Sequence, residues 1–329
     1  MTMITEEVAK NIYKIPVTLP NNPLRNLNSY LIKDPDVSLL IDTGFRMPEC
    51  KADLLAGLSE LDEDPAKVDI FVTHMHADHT GNAMEIVGPD RKVMISAVDR
   101  GWMTGEDAAQ ARWSRNVETY IKAGMQLEDV GFLPTLSPQN QRAPEITREY
   151  VGVEDGHVFH VGGHDIRCVL TPGHTPGHMC LWEEKNGIMF TGDHVLFDIT
   201  PNITVWGTVD DALGEYLNAL ESIKKYPVKQ ALPGHRKPGD FHQRIDELFA
   251  HHERRLEEVL AILGENPGFT GHDIASRMRW RIRATSWDDF PYSQKIFAVG
   301  ECMSHLEYLY RRDKVRIEKE GELIHYFAV

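Results

Sequence analysis

No apolar run in this 329-residue sequence approaches the roughly 20 residues needed to cross a bilayer, which argues against a membrane-spanning helix. The opening Met1-Thr2-Met3-Ile4-Thr5-Glu6-Glu7 has neither the basic start nor the apolar stretch of a secretory signal. Cysteine is scarce: Cys50, Cys168, Cys180 and Cys302 are scattered, with no CxxC pair. That pattern excludes a disulfide scaffold and reads as free thiols in a reducing compartment, so the expected location is cytoplasmic. Positive charge is also short, with 35 Lys and Arg against 50 Asp and Glu and a net charge of −15. Most of the excess falls in residues 1–240, while residues 241–329 are close to balanced. An acidic main domain is a poor electrostatic partner for RNA. Internal repeats and low-complexity runs are lacking, and 42% hydrophobic with 26% charged residues excludes extensive disorder.

What the sequence does have is histidine in unusual places. Thr73-His74-Met75-His76-Ala77-Asp78-His79-Thr80-Gly81 follows the apolar run Val68-Asp69-Ile70-Phe71-Val72. A strand ending in a turn throws three imidazoles and a carboxylate out together, and nothing about folding asks for them there. Neutral imidazole and carboxylate are good ligands for zinc and similar divalent ions. Three later segments repeat the device of an apolar strand, a Gly-containing turn and a ligand. They are Val169-Leu170-Thr171-Pro172-Gly173-His174, Ile188-Met189-Phe190-Thr191-Gly192-Asp193 and Ala231-Leu232-Pro233-Gly234-His235. Sites in layered α/β proteins are built at strand ends in this way, because the sheet holds the ligands while the loops vary.

In these motifs the chain resembles the metallo-β-lactamase superfamily, and within it the hydrolase branch of glyoxalase II and related thioesterases, lactonases and nucleases. The resemblance covers about residues 8–240 and implies an αββα sandwich. Carried over residue by residue, it implies one metal held by His74, His76 and His174, a second held by Asp78, His79 and His235, and Asp193 bridging the two. Asp42, in Leu39-Leu40-Ile41-Asp42-Thr43-Gly44, matches an early Asp-Thr-Gly turn that orients ligands from behind. The implied cofactors are two divalent ions, zinc first, with iron or manganese also compatible with His/Asp ligands. The implied chemistry is hydrolysis by a hydroxide shared between the metals, with Asp78 and Asp193 as its catalytic carboxylates. Histidine at position 76 departs from the oxygen-reducing diiron relatives, which would have glutamate there. His178 and His194 sit beside ligands and read as supporting or packed histidines, with proton donation the alternative. Asn202 is either a substrate contact or a turn asparagine. Arg236, with Lys237 after it, is a candidate to hold an anionic substrate tail, and surface solvation explains it equally.

Residues 98–148 lengthen the interval between His79 and His174 and carry Trp102, Met103, Trp113, Tyr120 and Met125. They predict a helical insertion, with a helix over Ala108–Trp113 and a loop over Phe132–Pro138. Two readings apply: a cap that walls the metals, or aromatics packing the insertion's own small core, the latter for most of them. Residues 241–329 read as a small separate domain of helices followed by a hairpin turning at Glu320-Gly321, similar to a winged helix. Its basic run Arg277, Arg279, Arg281 and Arg283 alternates and lies near Asp288-Asp289, which suits a solvated or oligomer-facing surface better than a nucleic-acid groove. The expected partner is a small organic substrate, a thioester ahead of a lactone, with no membrane and with homo-oligomerisation open. The alternative is a phosphodiesterase or endoribonuclease using the same metals.

Overall fold

The computed structural model describes residues 4–104, 117–126, 142–207, 209–281 and 284–329. Two sheets carry the fold. The first runs β1 (Glu6–Ala9), β2 (Ile12–Thr18), β3 (Asn26–Ile32), β4 (Ser38–Ile41), β5 (Val68–Phe71), β6 (Val93–Ser96) and β7 (Val151–Val153) in sequence order. Pairing is antiparallel as far as β4 and parallel from β4 to β7. The second contains β8 (Val158–Val161), β9 (His164–Leu170), β10 (Met179–Glu183), β11 (Ile188–Gly192) and β12 (Gln230–Pro233), ordered β12-β11-β10-β9-β8. Only β11 and β12 pair in parallel there.

The near-continuous apolar runs of these strands follow from burial on both faces. Between the sheets lie Tyr30, Ile41, Phe71, Ile166, Leu181 and Phe190. Outside the first sheet, α1 (Pro48–Glu60) packs Leu54 and Leu58 onto Ile15 and Leu40. Proline in its first turn suits a position whose N–H has no intrahelical partner. Gly57 is required by closeness: a Cβ there would stand 2.4 Å from Ile15 Cγ2. Outside the second sheet, α5 (Ala212–Ile223) and the start of α6 (Phe241–Glu265) cover Trp182, Met189 and Ala231. The result is a four-layer αββα sandwich.

Three later elements complete the chain: α7 (Gly271–Arg277), α8 (Tyr292–Tyr310) and the hairpin β13 (Val315–Glu320) and β14 (Leu323–Ala328). A capping box between Thr270 and Asp273 starts α7. Helix α6 does not stop at the second sheet. Its first turns bury Phe241, Ile245 and Leu248 in the sandwich, and its later turns bury Val259 and Leu263 among the C-terminal elements.

Strands β9, β11 and β12 end where the segments leading to His174, Asp193 and His235 predict them. The edge strands β1 and β7 are additions, since neither shows enough alternation to be read from sequence. The expected helix over Ala108–Trp113, with Trp113, the loop over Phe132–Pro138, and Arg283 lie outside the described residues. Tyr120, Ala123 and Met125 correct the expectation that the insertion packs a core of its own. They are buried against Ile274, Val299 and Met303 of the C-terminal elements.

Leu181 is fully buried between the sheets, so Leu181→Ala should lower unfolding free energy by about 2–5 kcal/mol, read as a shift in the urea midpoint.

Candidate metal centre

The carboxyl ends of β4, β5, β9, β11 and β12 gather at one end of the sandwich. There the two sheets are joined directly. The backbone N–H of Met179 donates to Thr73 O at 2.9 Å, and that of Asn28 to Gly234 O at 2.7 Å. Tyr30 Oη and Asn28 Nδ2 both donate to Pro233 O, at 2.9 Å each. This joint brings Asp42, the His74–His79 turn, His174, Asp193 and His235 together from separate stretches of chain.

Three overlapping groups of ligand atoms result, each with its members within 4.8 Å of one another: His74, His76 and His174; His74, His79 and Asp193; and Asp78, His79 and His235. Asp193 faces both sides. Its Oδ1 lies 3.5 Å from His79 Nε2 and 3.4 Å from His235 Nε2, and its Oδ2 lies 3.7 Å from His174 Nε2. Asp78 Oδ2 is 3.3 Å from His235 Nε2. His74, His79 and His235 are fully buried, whereas His76 and Asp78 are partly exposed at the mouth.

Four of the five imidazoles are held by an oxygen at Nδ1 and turn Nε2 inward. The oxygens are Thr73 Oγ1 for His74 (3.1 Å), Asp42 Oδ2 for His79 (2.8 Å), Asn202 O for His174 (2.9 Å) and Asn26 O for His235 (2.9 Å). His76 is the exception, presenting Nδ1 at 3.0 Å from His74 Nε2. An oxygen that fixes one ring nitrogen as N–H leaves the other as a lone pair, which is how ligating histidines are oriented. The backbone is shaped to the same end. A Cβ on Gly234 would lie 2.9 Å from Asp193 Oδ1, and one on Gly192 would lie 2.6 Å from His178 Nε2. Asp42 itself adopts a left-handed φ of 62°, a conformation aspartate tolerates, and accepts from Thr73 N–H at 2.8 Å.

Electrostatically the two halves differ. Burial, reinforced by neighbouring imidazoles, pushes His74 well below the usual histidine range, and burial with His174 beside it brings His76 to about 3. His174 is also lowered, by burial first. In the other half burial is outweighed by carboxylates: Asp42 and Asp193 raise His79, and Asp193 and Asp78 raise His235. Burial likewise opposes ionisation of Asp78, but its bond to His235 and the charge of His79 hold it at about 2.

The donor set fits a pair of divalent cations. Inward-facing imidazole nitrogens and carboxylate oxygens converge on one small space, and some of them have no partner there. His174 Nε2 and Asp193 Oδ1 are buried and make no hydrogen bond, a costly arrangement unless a cation satisfies them.

The other residues singled out in the sequence fall as follows. His178 accepts the N–H of Asp193 at Nε2 (3.1 Å) and meets Thr171 Oγ1 at Nδ1 (2.8 Å), so it braces Asp193. His194 is fully buried with its ring edge-on to Tyr216, whose hydroxyl donates to His194 O at 2.9 Å. The Asn202 side chain turns to Glu301 Oε2 at 3.4 Å, and its contribution to the cluster is its carbonyl. Arg236 donates to Pro23 O at 2.6 Å, tying the turn after His235 to the β2–β3 loop, while Lys237 is exposed.

Two residues escaped sequence reasoning. Asp99, in α4 (Ala97–Met103), is fully buried and accepts from Met75 N (2.9 Å), Thr175 Oγ1 (2.8 Å) and Gly177 N (2.6 Å), locking both histidine turns at once. Burial lifts its carboxyl to about 6 against the pull of those donors. Its only signal was Ser96 as a helix cap, which says nothing of the loops it reaches. Trp206 stacks on His76 at 6.2 Å between centroids, and Trp102 meets Trp206 edge-on at 5.6 Å. No periodicity pointed to it.

A four-layer fold whose strand ends converge on a two-part His/Asp cluster defines a metal-dependent hydrolase. The sequence profile of the metallo-beta-lactamase superfamily matches residues 23–235, and the chain belongs to that superfamily. It is 27% identical over 270 residues to the lactamase-like protein aptB of Emericella nidulans, covering 79% of this chain and 70% of that protein. It is 26% identical over 265 residues to the atrochrysone carboxyl ACP thioesterase dmxR1 of a Cryptosporiopsis species, covering 78% of this chain and 64% of that enzyme. Among solved structures, a metallo-beta-lactamase family protein of Thermus thermophilus has a TM-score of 0.80 at 27% identity, covering 98% of this chain and 100% of that one. That likeness therefore extends into the C-terminal helices and hairpin. Among the described residues, no helix is long and apolar enough to cross a membrane.

Asparagine at position 99 must turn its NH2 toward at least one N–H or O–H that now meets an oxygen. Asp99→Asn should cost about 1–3 kcal/mol in denaturant unfolding and weaken metal retention against a chelator.

Proposed function

We propose that this chain is a dinuclear metal-dependent hydrolase of a small organic substrate, with a thioester preferred over a lactone. The observation that carries the reading is Asp193, which turns one oxygen to His79 and His235 and the other to His174. His74, His76 and His174 would hold one divalent ion, and Asp78, His79 and His235 the other. Such ions, when bound, supply Lewis acidity and a hydroxide nucleophile near neutral pH.

The chain's own residues do the rest. Thr73, Asp42, Asn202 and Asn26 fix the imidazoles, so little reorganisation accompanies reaction. Asp78, partly exposed and held ionised by His235, can orient the attacking water by accepting a hydrogen bond. Trp206 and Trp102 form an aromatic wall beside His76 that excludes water and offers an apolar face to an acyl or aryl group. The thioesterase name of the fungal relative supports this substrate class. For the phosphodiesterase alternative, two of the C-terminal cations are engaged with aromatic rings. Arg277 lies over the Phe269 ring at 4.3 Å, and Arg316 lies over the Phe327 ring at 4.1 Å.

The test is a metal-replete screen over acyl thioesters, lactones, phosphodiesters and short RNAs, with Asp78→Ala as control. Thioester turnover that Asp78→Ala abolishes is the expected result; turnover of RNA alone would sink the thioester assignment. RNA cleavage would also weaken steeply with added salt, and thioester hydrolysis would not. Trp206→Ala should raise KM for aryl or long acyl thioesters by roughly tenfold, the scale of losing about 1–2 kcal/mol of apolar contact, with zinc content unchanged. Chelation should remove activity and lower the thermal midpoint together, because the ions bind only the folded chain.

A further inference from the structure

Helix α8 reaches the metal cluster from outside the sandwich. It presents three residues to three consecutive residues of the segment after β11. Glu301 Oε2 accepts from Asn202 Nδ2 at 3.4 Å, and Ser304 Oγ donates to Ile203 O at 2.7 Å. Gly300 lets the helix approach Thr204, since a Cβ there would stand 2.3 Å from Thr204 Oγ1. Further along, Arg311 pairs with Asp210 at 2.8 Å and Arg312 with Asp211 at 2.9 Å. The segment so gripped carries the Asn202 carbonyl that holds His174, and Trp206 against His76.

Glu301 is itself fixed. Arg255 donates from Nε to its Oε1 at 3.2 Å and from Nη1 to Glu258 Oε2 at 2.6 Å. The Arg255 guanidinium is flanked by the Trp280 ring at 4.2 Å, and the residue is only 7% exposed. A buried cation locked between two carboxylates and an aromatic face has little freedom, so Glu301 has one position.

We propose that Glu301, locked by Arg255, is a positioning residue for the metal centre: through Asn202 it sets the carbonyl that orients His174. This rests on the metal reading of the cluster. In that role α8 acts as a clamp by which the C-terminal elements govern how tightly one half of the site holds its ion. Outer partners of ligating histidines are known to matter on this scale: their loss weakens metal affinity by about 10- to 100-fold.

The test compares zinc affinity of metal-free wild type, Glu301→Ala, Glu301→Gln and Asn202→Ala by competition with a chromogenic chelator. Circular dichroism and the thermal midpoint of the metal-free proteins report folding separately. Wild type should bind two zinc ions per chain. Glu301→Ala should weaken one of them by about tenfold and shift the absorption bands of the cobalt-substituted protein. Glu301→Gln has one oxygen for two donors, Arg255 Nε and Asn202 Nδ2, so its affinity should fall between those of wild type and Glu301→Ala. A Glu301→Ala protein that melts earlier yet binds both ions as wild type does would reduce Glu301 to packing and overturn the proposal. If Glu301→Ala does not fold, Asn202→Ala decides, because it removes the link and keeps the carbonyl; unchanged zinc affinity there overturns it equally. Wild type that binds no zinc brings down the metal reading, and the clamp with it.

Discussion

Everything at the working end of this protein depends on keeping like groups close together. Five imidazoles and three carboxylates crowd one joint between two sheets, mostly out of water. Left to themselves, such groups would move apart, take up protons or admit solvent. They stay because four of the imidazoles are held from behind by an oxygen: Thr73 Oγ1, Asp42 Oδ2, and the carbonyls of Asn26 and Asn202. The sheets provide the stiffness, and the oxygens provide direction. A dication would satisfy the convergence that the protein alone leaves costly.

That constraint explains the distribution of glycine and aspartate around the site. Turns such as Thr191-Gly192-Asp193 and Pro233-Gly234-His235 need glycine because side chains from other segments, His178 at Gly192 and Asp193 at Gly234, leave no room for a Cβ. It also explains why Asp99 is buried. Two histidine turns from distant parts of the chain can be kept in register by one carboxylate that accepts from both.

The ligand turns were legible in the sequence because each is local: a strand, a glycine and a ligand lie within a few consecutive residues. The sandwich was legible for the same reason, through apolar runs and turn residues. What supports the ligands was mostly hidden. Asp42 could be placed only through the family resemblance, by its Asp-Thr-Gly turn. Asp99, Trp206 and Glu301 act across long separations in sequence, and none carries a local pattern that announces its target. The aromatics of the insertion misled in a related way, since Tyr120 and Met125 are apolar wherever they go. Only the fold shows that they pack beneath α7 and α8.

Helix α6 begins against the second sheet and ends among the C-terminal elements, lending Ile245 to one core and Leu263 to the other. A rigid rod rooted in two places transmits strain between them, as a beam does between two walls. Loosening at the hairpin end would then reach the outer layer of the sandwich through this helix. An exchange of C-terminal parts between relatives would have to preserve the pitch and length of this one helix. Such regions would then be inherited as a piece with the sandwich rather than shuffled beside it.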